Sequence, residues 1–143
     1  LKDGGTLYER MATLVKIWDS EMSAVTGGVG GVGGVVGATW PEQATRCREL
    51  AGDDVFFLIP GYGAQGGTAD DAVAGLSNSR DELMGVVNSS RGITLHSWWD
   101  KEAKQPREGD PLQLVRAAIE GANTDLNVAL ERKLGRSIAE IYA

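Results

Sequence analysis

Hydrophobic and polar positions follow two different periods along the chain, and these periods predict a series of helices and strands. Apolar residues recur every three to four positions over residues 7–18 and again over residues 111–134, the spacing of one face of an α-helix. Short continuous apolar runs over residues 34–38, 55–59 and 84–88 are typical of strands that are covered on both faces. The alternation of helices and strands implies parallel strands joined by crossovers, so the sequence predicts an α/β fold.

Residues with capping preferences predict where the helices begin and end. Thr6, followed three positions later by Glu9, has the pattern of a capping box at the start of the first helix. Pro41 suits the first turn of a second helix, which Gly52 ends. We expect a third helix to run from Thr68 to about residue 75.

The C-terminal third departs from this alternation. Residues 94–110 hold two tryptophans and several charges, and we expect a long loop or an insertion there, with room for a short helix. Pro111 then opens a long helix that Gly135 ends, and a short helical tail follows. Asn123 and Asn127 could divide the long helix in two.

A glycine-rich run lies between the first helix and the first strand. Residues 27–34 contain six glycines, and Gly28, Gly30 and Gly33 match the pattern G-x-G-x-x-G. The dinucleotide fingerprint requires a strand before this pattern and a helix after it, which is the reverse of the order here. We therefore predict a flexible or tightly turned connection.

Composition narrows the classes of partner and chemistry. The 143 residues suit one ordinary domain, and a net charge of −6 makes nucleic acid and anionic membranes poor partners. No apolar run approaches the roughly 20 residues that span a bilayer.

The single Cys47 excludes an intrachain disulfide and favours a reducing compartment, the cytoplasm. Arg46 and Arg48 could lower its pKa, but we read it as an ordinary helix cysteine. The lone His96 rules out a multi-histidine metal site.

The main functional signal follows the strand at residues 55–59. A Pro-Gly turn opens into the segment Gly-Tyr-Gly-Ala-Gln-Gly-Gly at residues 61–67, here called the glycine loop, which runs into a helix. Glycines leave backbone N–H groups accessible, and a helix N-terminus behind them favours an anion. Adjacent parallel strands would bring Gln65 and Arg91 to one edge of the sheet, and a guanidinium suits a phosphate dianion. We predict a phosphate site there; the other interpretation of Arg91 is a surface salt bridge.

Four segments also carry a resemblance to a known family. They are Lys-Asp-Gly-Gly-Thr-Leu-Tyr-Glu at residues 2–9, Val-Val-Gly-Ala-Thr-x-Pro-Glu at 35–42, Phe-Leu-Ile-Pro-Gly-Tyr-Gly-Ala-Gln-Gly-Gly at 57–67 and Val-Asn-Ser-Ser-Arg-Gly-Ile at 87–93. Together they resemble orotidine 5′-phosphate decarboxylase, and more narrowly its second bacterial subfamily, in register over residues 1–93. That family is a (β/α)8 barrel that converts orotidine 5′-monophosphate to UMP and CO2 without metal or cofactor. The resemblance implies that the strands here are the sixth, seventh and eighth of the barrel.

The resemblance also implies roles for particular residues. Gln65 and Arg91 would grip the 5′-phosphate, and Gly66 and Gly67 would offer it backbone N–H groups. The remaining expected site residues are Tyr62, as a phosphate or ribose contact or a lid residue, Pro60 and Gly61, as a floor under the base, and Thr39, at a strand end facing the site.

The family's catalytic groups have no match in this chain. They form an alternating Lys-Asp-Lys-Asp array that includes an Asp-x-Lys-x-x-Asp segment, and no such segment occurs here. A whole barrel takes roughly 250 residues. The resemblance therefore implies a C-terminal portion whose partners are the substrate or UMP, an N-terminal portion carrying the catalytic array, and a second copy in a homodimer. We expect residues 1–143 to form one partial barrel, made of family-like units (1–93), a loop or insertion (94–110) and C-terminal helices (111–143).

Two other functions remain open from the sequence. The first is a Rossmann-type nucleotide-binding module, because Gly61, Gly63 and Gly66 follow a strand and precede a helix. The second is a stand-alone half-barrel with a binding or structural role and no catalysis. Such a half-barrel would expose sheet edges and an apolar inner face, so it would tend to associate.

Overall fold

The chain folds around a three-stranded parallel sheet with helices packed on one face. The structure is a computed structural model that describes residues 4–28, 30–76 and 83–141. Strands β1 (Gly34–Val35), β2 (Phe57–Pro60) and β3 (Gly85–Asn88) are ordered β1–β2–β3. Hydrogen bonds from Val36 N to Leu58 O and from Ala38 N to Pro60 O continue the first pairing beyond β1. The predicted parallel α/β arrangement is confirmed.

Six helices and one small hairpin complete the described chain. The helices are α1 (Leu7–Thr26), α2 (Pro41–Ala51), α3 (Ala69–Val73), α4 (Ser90–Thr94), α5 (Pro111–Leu134) and α6 (Ile138–Ile141). The capping box of Thr6 and Glu9 and the ends at Gly52 and Gly135 occur as predicted. Residues 2 and 3 of the family-like segment lie outside the described residues. None of the described helices is long and apolar enough to cross a membrane.

Two helix predictions need correction. Helix α1 continues to Thr26, well past residue 18, because nothing interrupts it before Gly27 takes up a left-handed conformation (φ 70°). Helix α5 is unbroken at Asn123 and Asn127. Its C-terminal half packs on α3 and buries Ala129 and Leu130, which outweighs the modest helix propensity of asparagine.

The predicted loop at residues 94–110 contains an antiparallel hairpin, β4 (Trp99–Asp100) with β5 (Gln105–Pro106). The turn of this hairpin contains no glycine, so the sequence carried no signal for it. The Asp100 carboxylate instead accepts hydrogen bonds from the amides of Glu102 and Ala103, at 2.9 and 2.8 Å, and these bonds lower its pKa. Lys104 occupies the left-handed region with a φ of 52°. A side-chain acceptor therefore stabilises this turn in place of the glycine that is common in tight turns.

The core lies between the sheet and the helices and contains an unexpected arginine. Phe57 and Ile59 are buried on this face, and Arg48 of α2 stacks over the Phe57 ring with its guanidinium carbon 4.0 Å from the ring centroid. Arg48 also donates to four backbone carbonyls, those of Gly52, Val55, Gly75 and Met84. Burial lowers its pKa, and these carbonyls satisfy the buried charge.

The opposite face of the sheet is uncovered. Val35, Leu58 and Val86 lie side by side in the register, with exposed fractions of 71, 39 and 49 %. An apolar row of this kind indicates a surface that is built to be covered.

Candidate functional site

The glycine loop folds back on itself at the carboxyl end of β2. The amides of Gly63 and Gly67 donate to the carbonyls of Gly67 and Gly61, at 2.8 and 3.0 Å, and the Gly66 amide donates to the Gly63 carbonyl at 2.8 Å. The last bond closes a tight turn with Ala64 and Gln65 at its tip. Gly66 has a φ of 96°, which a residue with a side chain rarely adopts.

The loop's hydrogen bonds correct the expected roles of Gly66 and Gly67. Both amides donate within the loop, so they are not the open anion donors that the sequence analysis assigned. The amides of Ala64 and Gln65, at the tip of the turn, have no acceptor among the described residues. Gly66 and Gly67 therefore shape the turn, and the residues at its tip present the N–H groups.

The base of the loop lies directly against the end of the first strand. A Cβ atom added to Gly67 would lie 2.8 Å from the Gly61 carbonyl oxygen and 3.0 Å from the Ala38 Cβ. A Cβ on Gly61, which is buried, would lie 3.5 Å from the Thr39 Cγ2. Thr39 and Gly61 thus meet at this edge, beside Pro60 at the end of β2.

The segment that carries Arg91 begins at the same edge. Pro60 pairs with Asn88 in the register, so the chain leaves β2 and β3 side by side. The Ser89 hydroxyl lies 4.0 Å from the position of a Cβ on Gly63, which places the two loops next to each other. The side chains of Gln65 and Arg91 are exposed and make no hydrogen bond or ion pair among the described residues. The salt-bridge interpretation of Arg91 therefore finds no support within this part of the chain.

Tyr62 is held away from the tip of the loop. Its hydroxyl donates to Asp125 Oδ2 of α5 at 2.8 Å. Burial and the Asp125 carboxylate together raise the Tyr62 pKa to about 12. With its proton engaged by Asp125, Tyr62 joins the loop to α5, a role that the sequence analysis did not consider.

Comparison with known proteins gives a consistent result. No protein-family model matches the chain. It is 46 % identical over 139 residues to orotidine 5′-phosphate decarboxylase from Halorubrum lacusprofundi, covering 95 % of this chain and 44 % of the relative. The corresponding enzyme of Haloarcula marismortui is 42 % identical over 111 residues, covering 77 % of this chain and 35 % of the relative. The chain spans about two fifths of the length of these relatives and matches their C-terminal portion.

Solved structures give the same result for the fold. An orotidine-monophosphate-decarboxylase structure from Toxoplasma gondii superposes with a TM-score of 0.60 at 27 % identity, over 87 % of this chain and 43 % of that one. UMP synthase from Leishmania donovani superposes with a TM-score of 0.52 at 29 % identity, over 80 % and 22 %. The chain belongs to the orotidine 5′-phosphate decarboxylase family. Its parallel strands and covering helices are accordingly part of a (β/α)8 barrel.

Two other features of this decarboxylase relative bear on its chemistry. Among the described residues, no three His, Cys, Asp or Glu side chains are grouped so that they could hold a metal ion. Cys47 is buried in α2, and burial raises the pKa of its thiol, contrary to the lowering that its arginine neighbours suggested. Cys47 is therefore a packing residue.

Sequence reasoning missed Asp125 and Ser89 as neighbours of the glycine loop. Asp125 lies on a long amphipathic helix in no motif, and Ser89 lies just before α4 in the family-like segment, where only Arg91 was given a role. The sequence showed only that the apolar face of α5 must pack against the helices that cover the sheet. Which of its polar residues reaches the loop depends on the rotation of α5 about its axis.

Proposed function

We propose that this chain is the phosphate-gripping portion of an orotidine 5′-monophosphate decarboxylase, which forms UMP and CO2 in pyrimidine biosynthesis. The observation that carries the proposal is the pair of adjacent loops after β2 and β3. They present the Gln65 and Arg91 side chains and the Ala64 and Gln65 amides, none of which has a partner among the described residues. Loops at the carboxyl ends of consecutive barrel strands are the usual place for a phosphate in this fold.

Each donor has a distinct part in the proposed site. The Arg91 guanidinium offers a two-pronged hydrogen bond to two phosphate oxygens, and the Gln65 carboxamide offers a neutral donor. The amides of Ala64 and Gln65 take the place that the sequence analysis gave to Gly66 and Gly67. Thr39, Pro60 and Gly61, at the neighbouring strand ends, would line the side of the pocket that holds the ribose and base.

The proposal places the bond-breaking groups outside this chain. The family's Lys-Asp-Lys-Asp array would lie on the N-terminal portion that relatives carry and this chain does not. There a carboxylate next to the substrate's own carboxylate would favour loss of CO2, and a lysine would protonate C6 as the C–C bond breaks. Energy from gripping the remote phosphate would be used at the reacting carbon. No cofactor takes part.

The uncovered face of the sheet supports the same division of labour. Val35, Leu58 and Val86 form an apolar row that the described residues leave exposed. In a closed barrel such a row faces the other strands. We infer that the N-terminal portion covers it. A homodimer and a cytoplasmic location, both implied by the resemblance, stay predictions.

Decarboxylation of orotidine 5′-monophosphate by the complete gene product that contains this chain tests the proposal. We expect Arg91→Ala to lower kcat/KM about 100-fold and Gln65→Ala about 10-fold, the scale of lost hydrogen bonds to a charged group. Arg116→Ala and Gln113→Ala are matched controls, because both residues are exposed on α5 and their side chains make no hydrogen bond or ion pair among the described residues.

Two results would contradict the proposal. Equal losses in the Arg91 and Arg116 variants would mean that Arg91 acts only through net charge. A gene product that binds UMP but never releases CO2 would instead favour a phosphate- or nucleotide-binding module without catalysis.

A further inference from the structure

The long helix α5 makes polar contacts with the glycine loop and with the start of α3. Asp125, near the middle of α5, accepts the hydrogen bond from the Tyr62 hydroxyl at 2.8 Å. One and two turns further along the helix, Val128 and Arg132 follow on the same side, and Arg132 forms an ion pair with Asp70 just after the loop. Both ends of the loop segment are thus tied to one helix.

Helix α5 is a firm base for these contacts. It buries Ala129 and Leu130, and the Lys133 ammonium donates to the carbonyls of Val73 and Leu76 at the end of α3, at 2.9 and 2.6 Å. The packing of α5 against α3 therefore fixes the position of Asp125. A side chain that is hydrogen-bonded to Asp125 is fixed relative to the same core.

Tyr62 meets α5 beside a cleft of about 410 Å³, which is lined on the loop side by Tyr62, Gly63 and Gly67 and on the helix side by Asp125 and Arg132. The Tyr62 side chain packs against the core to which α5 contributes Ala129 and Leu130, and the hydrogen bond from its hydroxyl to Asp125 fixes its position at the edge of the cleft. Tyr62 is also paired with Gly67 across the loop, so a shift of Tyr62 moves the whole turn.

We propose that Asp125 is a positioning residue, which holds Tyr62 and thereby fixes the tip of the glycine loop at the distance that phosphate binding requires. The expected effect on the reaction rate rests on the proposed function. The expected effect of Asp125 on the position of the loop does not. Donors at Ala64 and Gln65 lie two and three residues from Tyr62. A displacement of about 1 Å at such donors is enough to weaken a phosphate-dependent rate.

The first experiment measures amide hydrogen exchange in the glycine loop of the complete gene product. The amide protons of Gly66 and Gly67 donate across the loop, so their hydrogen exchange reports its opening. We expect Asp125→Ala to speed exchange at both positions about five-fold or more. Asp125→Asn keeps an acceptor oxygen for the Tyr62 hydroxyl and should stay within about two-fold of the parent. Glu120→Ala removes a carboxylate from an exposed position of α5 and is the control.

The second experiment separates positioning from general destabilisation. With orotidine 5′-monophosphate, Asp125→Ala should lower kcat/KM about five- to ten-fold, while Asp125→Asn restores most of it. With orotidine, the nucleoside that lacks the phosphate, the slow rate should be the same for Asp125→Ala and the parent, because no phosphate is held. Combining Asp125→Ala with Tyr62→Phe should add little to either single loss.

Each outcome decides the inference. Unchanged exchange at Gly66 and Gly67 in Asp125→Ala overturns it, whatever the activity. Faster exchange with equal losses on the two substrates overturns the positioning role and leaves a structural one. If the parent protein decarboxylates neither substrate, the proposed function fails, and the exchange data still decide whether Asp125 holds the loop.

Discussion

At the scale of single residues, neighbours in space decide the chemistry of side chains that look ordinary in the sequence. Lys133 occupies one turn of a long helix, yet its ammonium donates to the carbonyls of Val73 and Leu76 at the end of α3. Tyr62, read first as a substrate contact, is engaged by Asp125. In both cases the partner lies 57 to 63 residues away along the chain.

Lys133 gives a prediction about pH. Its pKa is lowered to about 8, chiefly by burial and then by the charge of Arg48, with Asp53 acting in the opposite sense. Between about pH 8 and 10 the unfolded chain therefore binds a proton that the folded chain does not, so the free energy of unfolding should rise with pH in this window. We expect a gain of about 1 kcal/mol, since partial exposure screens the effect.

Urea unfolding of the complete gene product at about pH 7 and about pH 9.5 measures this gain. Lys133→Met should abolish the rise and, at neutral pH, lower stability by about 1–3 kcal/mol because two carbonyls lose their donor. Lys101→Met, at an exposed hairpin position, should behave as the parent does. A rise that persists in Lys133→Met would show that another group titrates. Two other groups do not obscure the comparison. Tyr62 reduces stability only above about pH 10, up to its folded pKa of about 12. Burial also raises the pKa of the Cys47 thiol, which opposes the rise in the upper part of the window, but it does so equally in the parent and in both variants, so the difference between these proteins reports Lys133.

At the scale of elements, the glycine loop is a compact turn whose backbone leaves no room for a side chain at its base. Gly67 approaches the Gly61 carbonyl and the Ala38 Cβ closely. Neither contact is the end of a flexible side chain, so neither can yield easily. The element therefore depends on glycine for close packing at residue 67 and for a left-handed conformation at Gly66.

The prediction for this element is that Gly67→Ala is destabilising. Its Cβ would meet the Gly61 oxygen at 2.8 Å, and relieving that overlap should cost about 1–3 kcal/mol and open the turn. Gly121→Ala on α5 is the matched control, because a Cβ there has nothing within 4 Å and a helix interior favours alanine, so stability should rise by about 0.5–1 kcal/mol. Urea midpoints compare the two; a Gly67→Ala variant as stable as the parent would mean that the loop base is loose.

At the scale of the whole molecule, helices cover one face of the sheet and the other face is exposed. The helices cover Phe57 and Ile59, whereas the row of Val35, Leu58 and Val86 is left exposed. The chain also spans only about two fifths of the length of its decarboxylase relatives. Both facts are explained if the remaining strands of a barrel close over that row.

Leu58→Asp tests this explanation. In the complete gene product a carboxylate at the centre of the row would be buried without a partner, and we expect a loss of several kcal/mol or failure to fold. Leu112→Asp changes the same residue type at a position on α5 that is 78 % exposed, and should change stability by less than about 0.5 kcal/mol. Equal thermal unfolding temperatures for Leu58→Asp and the parent would show that the face is solvated, as in a stand-alone module.

The sequence by itself determined the three sheet strands and the long helices in their order, the parallel α/β class, the family and the position of the glycine loop. Those properties depend on local signals: apolar periodicity, capping residues such as Thr6, and glycines at fixed spacing. Only the tertiary structure decided which loop amides lack an acceptor, that the Tyr62 hydroxyl donates to Asp125, and that Arg48 and Lys133 donate to buried carbonyls. Each of these depends on how a helix is rotated and seated against a distant segment, and that geometry is set by packing of the whole chain and has no local signature.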